Sequence, residues 1–203
     1  MNNQEKFWKG EFGDIYIKRN QKKLIKNNLV FFNKILKEKK NNIKTIIEFG
    51  ANIGNNLHAL KKLCKKLNKI TAIEINNKAC KILKKSFKNI NVINETILKY
   101  NSKEKYNLAI VKGVLIHINP KDLNKIYEKI YNSSNKYILI AEYYNPKPVK
   151  INYRGFKNKL FKRDFAGEFL KKFKNTKLID YGFVYNKDLY PQDDITWFLI
   201  SKN

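Results

Sequence analysis

Lys44-Thr45-Ile46-Ile47-Glu48-Phe49-Gly50-Ala51-Asn52-Ile53-Gly54-Asn55-Asn56-Leu57 decides how this chain is read. A β-branched apolar run, Thr45 to Ile47, ends in Glu48. Two glycines follow at a spacing of four, and a helical pattern begins with Leu57, Leu60, Leu63 and Leu67. That order predicts a buried strand, a tight glycine turn and a helix. Glycine suits such a turn because it adopts positive φ freely and lets a ligand approach the backbone closely. The helix N-terminus beyond it offers free N–H groups to a polar or anionic ligand.

The spacing selects the ligand. A dinucleotide site needs G-x-G-x-x-G, and a P-loop needs G-x-x-x-x-G-K-[ST]. This chain has E-x-G-x-x-x-G instead. Glu48 would repel a pyrophosphate and suits a cofactor that carries an ammonium group. The segment resembles the first motif of class I S-adenosylmethionine (SAM) methyltransferases; a glycine turn in an α/β protein without cofactor is the plainer alternative. Ile70-Thr71-Ala72-Ile73-Glu74-Ile75 then reads as the next buried strand, ending in an acid twenty residues after Gly54. A carboxylate at that distance accepts hydrogen bonds from both hydroxyls of a ribose.

Composition sets the bounds. A length of 203 residues fits one domain with a sizeable core, and 43% hydrophobic with 13% aromatic residues argues for a folded globule. The net charge of +26 suggests nucleic acid, but arginine occurs only at positions 19, 154 and 163, leaving 43 − 3 = 40 lysines scattered along the chain. Lys, Asn and Ile rise together in A/T-rich coding sequence, so the charge is discounted as compositional: nucleic acid stays possible and is not favoured. Cys64 and Cys80 fall on helical apolar faces and read as buried free thiols, in keeping with a reduced, cytoplasmic protein. No run is long enough to span a membrane, no signal-peptide core is visible, and no metal-ligand cluster forms around His58 and His117.

Residues 1–20 are polar and aromatic, and the expectation is an arm packed on the domain or a lid, with Trp8 toward an acceptor and Tyr16 and Arg19 pointing inward. Residues 21–38 predict an amphipathic helix. Asn76 or Asn77 caps a helix with Cys80, Leu83 and Phe87 on one face. Residues 90–93 form a short strand, and Glu95 with Thr96 after it are candidates for the adenine edge. Leu108 to Val111 form the fourth strand, leading to Lys112 and to His117 at the carboxyl edge, where open α/β sheets bind ligands. Pro120 opens a helix, and Tyr137 to Ala141 form a fifth strand followed by Glu142-Tyr143-Tyr144-Asn145. Residues 147–166 read as irregular. Their arginines, Arg154 and Arg163, suggest bidentate anion binding or a loop-holding ion pair. A helix over 164–173 and strands over 178–185 and 195–201 close the chain.

Together with Phe-Trp-Lys-Gly-Glu-Phe-Gly-Asp at 7–14, Lys-Gly-Val-Leu-Ile-His-Ile-Asn-Pro at 112–120, Glu-Tyr-Tyr-Asn-Pro at 142–146, Tyr-Arg-Gly at 153–155, Phe-Lys-Arg-Asp-Phe-Ala-Gly-Glu at 161–168 and Pro-Gln-Asp-Asp-Ile-Thr-Trp-Phe at 191–198, these motifs resemble the methyltransferases associated with pseudaminic acid biosynthesis. The likeness runs from about residue 5 to 201; Asn107 departs from the Asp common before the fourth strand. The resemblance implies a single domain with the Rossmann-like class I fold: a seven-stranded, mostly parallel sheet, a C-terminal antiparallel hairpin and helices on both faces.

It implies methyl transfer from SAM, giving S-adenosylhomocysteine, to an O or N atom of a small, anionic or sugar-like acceptor such as a nonulosonic sugar acid. The expected cofactor residues are Tyr16, Arg19, Glu48, Gly50, Ala51, Asn52, Gly54, Asn55, Asn56, Glu74, Ile75, Glu95, Thr96 and Lys112. Trp8, Tyr143, Asn145, Arg154 and Arg163 are expected at the acceptor, with His117 or Tyr144 as base. An RNA-directed methyltransferase and a SAM-binding protein without transferase activity remain as alternatives.

Overall fold

The computed structural model describes residues 1–19 and 24–202. In chain order the elements are helices α1 (Asn3–Lys9), α2 (Glu11–Ile17) and α3 (Leu24–Leu36), then strand β1 (Thr45–Phe49), α4 (Asn55–Leu63), β2 (Lys69–Ile73), α5 (Asn77–Ser86), β3 (Asn91–Ile93) and β4 (Tyr106–Lys112). They continue with α6 (Leu123–Ser133), β5 (Ser134–Glu142), β6 (Val149–Tyr153), β7 (Phe156–Lys162), α7 (Phe165–Lys172), β8 (Thr176–Val184) and β9 (Ile195–Lys202).

One sheet runs β3-β2-β1-β4-β5-β9-β8, parallel through β5, with β9 antiparallel to both of its neighbours. β1 is buried along almost its whole length because parallel strands are covered on both faces. On one face Phe32 and Ile35 of α3, Leu57 and Leu60 of α4 and Leu83 of α5 pack against it. On the other, Ile126 and Ile130 of α6 join Phe165 and Phe169 of α7. Strand order, not strand direction, reverses between β1 and β4, so the loops after these two parallel strands flank the crevice where such sheets bind ligands. The sheet, its hairpin and the helical layers are those expected.

Three local readings change. The segment 147–166 is a regular hairpin: Val149, Ile151 and Tyr153 pair with Lys162, Leu160 and Phe156. Arg154 and Gly155 turn it with φ of 52° and 85°, a two-residue turn built on left-handed conformations. Residues 1–19 are two short helices, α1 carrying a capping box in which Asn2 and Glu5 exchange bonds. Finally, α3 is followed by a 3₁₀ segment, Lys37–Asn42, and residues 21–23 of the expected helix lie outside the described residues.

Candidate functional site

A cavity of about 270 Å³ opens at the carboxyl edge of the sheet, between the β1 and β4 loops, with α1 and α2 as its roof. Its floor is the glycine turn. Gly50 has φ +73°, and a Cβ there would come within 2.5 Å of Val114 Cγ2; Gly54 has φ +86°, with Leu83 Cδ2 2.6 Å from a Cβ. Both demands, left-handed backbone and absent side chain, point to glycine. Asn52 joins them at φ 48°, its side chain accepting the Ile53 N–H at 2.8 Å.

Glu48 and Glu74 stand at the ends of their strands, both buried. Asn56 Nδ2 donates to Glu48 Oε1 at 2.6 Å, while Glu48 Oε2 is buried with no partner among the described residues. Desolvation pushes the Glu48 carboxyl up to about 8, against the pull of Asn56 and Lys112. Glu74 accepts the Asn52 and Asn76 N–H groups at 2.7 Å each; burial raises its pKa and these bonds oppose the rise. Asn94, beyond β3, donates to the Glu74 and Ile75 carbonyls. Glu95 and Thr96 line the same cavity, and the Thr96 hydroxyl donates to Glu5 of α1.

His117 lies in the 3₁₀ turn Leu115–His117, which hangs from Glu142 at the end of β5. Glu142 Oε1 accepts the Val114 and Leu115 N–H groups at 2.9 Å each, and Oε2 accepts that of Ile116 at 3.4 Å. Burial nevertheless raises Glu142 to about 7. His117 Nδ1 is 2.7 Å from the Lys159 carbonyl. A carbonyl only accepts, so Nδ1 carries the proton and Nε2 is the free base. Burial lowers His117 to about 4, and the ring is neutral at physiological pH. It packs against Trp8 (4.5 Å between centroids) and Tyr153 (4.8 Å).

The roof is tied down from several sides. Asn76 caps α5 by accepting the Ala79 N–H, and its Nδ2 donates to Asp14 at 2.8 Å. Asn2 donates to Asp122, Gln4 to the Asn158 carbonyl, and Lys159 to the Asn3 carbonyl. Gly13 passes so close to the Trp8 carbonyl that a Cβ would lie 1.9 Å from it.

Of the expected residues, Gly50, Ala51, Asn52, Asn55, Asn56, Glu74, Ile75, Glu95, Thr96 and Lys112 line this cavity together with Tyr16, Trp8, Tyr143 and His117. Gly54 shapes the turn and Glu48 lies beneath it. Five others are not brought to the cavity. Arg19 is exposed and stacks over Phe12 at 6.0 Å. Tyr144 is exposed and lines an adjoining cavity that shares Tyr143 and Asp193 with this one. Asn145 Nδ2 donates to the Lys147 carbonyl at 2.6 Å.

Arg154 sits at the hairpin tip, exposed, over the Tyr153 ring. Arg163 Nε is 2.6 Å from Glu168 Oε1, holding the entry to α7 whose cap is Asp164. Asn107 lies at the opposite edge of the sheet, accepting the Lys44 and Thr45 N–H groups. Sequence reasoning missed Asn28 and Gln192, both buried and joined at 3.1 Å, and Asp193. Gln4 was missed too; it precedes Trp8 by one helical turn, a spacing that could have found it. Among the described residues no His/Cys/Asp/Glu group could hold a metal, and no helix is long and apolar enough to cross a membrane. Cys64 and Cys80 are buried free thiols pushed up to about 11.

No protein-family model and no curated protein matches the chain. Its fold is that of class I SAM-dependent methyltransferases. The 1,6-didemethyltoxoflavin-N1-methyltransferase of Burkholderia thailandensis, solved with 1,6-didemethyltoxoflavin and S-adenosylhomocysteine bound, is 10% identical with a TM-score of 0.70, covering 94% of this chain and 83% of its own. Magnesium protoporphyrin IX methyltransferase of Synechocystis, solved with SAM, is 7% identical with a TM-score of 0.68, covering 100% and 99%. A SAM-dependent methyltransferase of Leishmania major is 14% identical with a TM-score of 0.70, covering 100% and 87%.

Proposed function

We propose that this chain is a single-domain SAM-dependent methyltransferase acting on an oxygen or nitrogen atom of a small molecule, with residues 1–19 as its lid. The observation that carries the reading is one cavity in which the glycine loop, Glu74 and Glu95 meet His117.

The residues fit the cofactor. Glu48 Oε2 is a buried acceptor with no partner, and an ammonium group would supply one. Gly113 on the cavity wall has nothing within 4 Å of where a Cβ would stand, leaving room beside the cofactor loop. Glu74 and Ile75 would hold the ribose, Glu95 and Thr96 the adenine, and Lys112 a carboxylate. When bound, SAM supplies a methyl group already activated for transfer. The chain contributes orientation and a dry enclosure, built from Trp8, Tyr16 and Tyr153. Neutral His117 offers Nε2 to accept a proton or hydrogen bond from the acceptor.

The acceptor suggested by the resemblance, a nonulosonic sugar acid, gains no arginine at the cavity among the described residues, since Arg19, Arg154 and Arg163 lie elsewhere. The RNA-directed alternative draws on net charge alone. Calorimetric titration with SAM, S-adenosylhomocysteine and NAD tests the reading: the first two bind and NAD does not. A folded protein with no affinity for SAM overturns it.

A further inference from the structure

The charge lining the cavity is opposite to that of the chain. Against a net +26, the ionisable residues on its wall include Glu5, Glu74, Glu95 and Asp193, with Lys112 as the basic one. Two of the acids are engaged, Glu5 with Asn2 and Thr96 and Glu74 with backbone N–H groups, while the Glu95 carboxylate has no side-chain partner among the described residues. Asp193, exposed to solvent, likewise makes no hydrogen bond or ion pair among the described residues, and Lys112 on the same wall is close enough to feel its charge. Its neighbour Asp194 uses both oxygens on Asn186, at 2.8 and 2.6 Å, and so fixes the loop that presents it.

Asp193 shares the cavity wall with aromatic rings. It lines the cavity together with Trp8, Tyr16, Tyr143 and Tyr153, and it is close enough to Tyr16 and Tyr143 to raise both hydroxyl pKa values beyond what burial does. Trp8 lies 5.2 Å from Tyr16 and 6.4 Å from Tyr153. Two of these rings already receive a side-chain cation: Lys162 over Tyr143 at 5.2 Å and Arg154 over Tyr153 at 5.7 Å. A solvent-accessible carboxylate on a wall it shares with several electron-rich rings is a receptor for an organic cation. Asp193 and Tyr143 also line the second cavity, of about 520 Å³, which extends toward Phe183 and Thr196 and gives a larger acceptor somewhere to lie.

Resting on the methyltransferase reading, we propose that the acceptor is an amine-bearing molecule, its cationic nitrogen held by Asp193 within a cage of Trp8, Tyr16, Tyr143 and Tyr153.

Two probes of one shape and different charge test it: choline and its neutral isostere 3,3-dimethylbutan-1-ol, titrated against the full chain saturated with S-adenosylhomocysteine and against the chain alone, read by calorimetry and tryptophan fluorescence. Choline binds about tenfold tighter or more. Asp193→Asn and Tyr153→Leu each bring the ratio close to one while affinity for S-adenosylhomocysteine persists. Asparagine tolerates the left-handed backbone at 193, φ 46°, so the first variant folds. No preference for choline, whether because both probes bind or neither does, overturns the cage, as does tighter binding of N-acetylneuraminate. Loss of SAM affinity in the wild type refutes the methyltransferase reading separately, because the choline ratio is measured without cofactor as well.

Discussion

Glu142 Oε1 accepts the backbone N–H of Leu115 at 2.9 Å, so the last residue of one strand carries the turn that follows its neighbour. Val114 and Ile116 donate to the same carboxylate, and His117 comes next in the chain. Removing that carboxylate leaves three inward N–H groups without their acceptor. Glu142→Ala is expected to destabilise the fold by about 3 kcal/mol, the cost of stranding buried donors. If Glu142 acts by positioning His117, kcat falls while SAM affinity is retained, and Glu142→Gln restores part of kcat. Denaturant unfolding and a kcat-against-KM comparison check this.

His117 supplies the second prediction. Its folded pKa of about 4 lies below the ordinary 6.5, so the folded state binds fewer protons than the unfolded one between those values. Its stabilising contribution is full above pH 6.5 and is lost as pH falls through about 4. The acid limb of the rate profile is therefore expected near pH 4 rather than 6.5. His117→Ala should lower kcat by about 10²–10⁴-fold, the range of general-base catalysis, with SAM binding preserved.

Glu48 behaves in the opposite sense. Its pKa is raised from 4.5 to about 8, so stability from the protonated form is complete below 4.5 and is lost as pH rises through about 8. Glu48→Gln should flatten the fall in stability across that window. An ammonium ligand would draw Glu48 into its charged form, so SAM binding at pH 7 is expected to release about one proton. Titration in buffers of different ionisation enthalpy measures it. The Glu48→Gln variant should release none.

The roof formed by α1 and α2 can be loosened without touching the helix beneath it. Asn76→Asp keeps an oxygen to cap α5 but replaces the donor facing Asp14 with a second carboxylate. Hydrogen exchange across residues 3–17 should speed up by about tenfold or more, the equivalent of ~1.4 kcal/mol, while the sheet's protection holds.

The sheet and the glycine turn at the floor of the cavity were legible because their signals are local. Strand, glycine turn and helix occupy fourteen consecutive residues, and the acids at 48 and 74 mark strand ends that periodicity alone predicts. The acceptor end was not. Arg163 was open by composition to anion binding or a loop-holding ion pair, and it is the second: Nε bonds Glu168 five residues on. Arg154 turns a hairpin whose alternation, Val149, Ile151, Tyr153, was visible but lacked the usual Asn-Gly signal. Asn28 and Gln192 meet across 164 residues, a pairing no single segment announces.

The roof has one further consequence, for the order in which the molecule is made. Asn2 bonds a residue 120 positions away, and Gln4 one 154 away, so the roof is held in place by segments made well after it. Contacts of such separation close after the local ones. The roof over the cavity is thus expected to settle after the local turns and helices have formed.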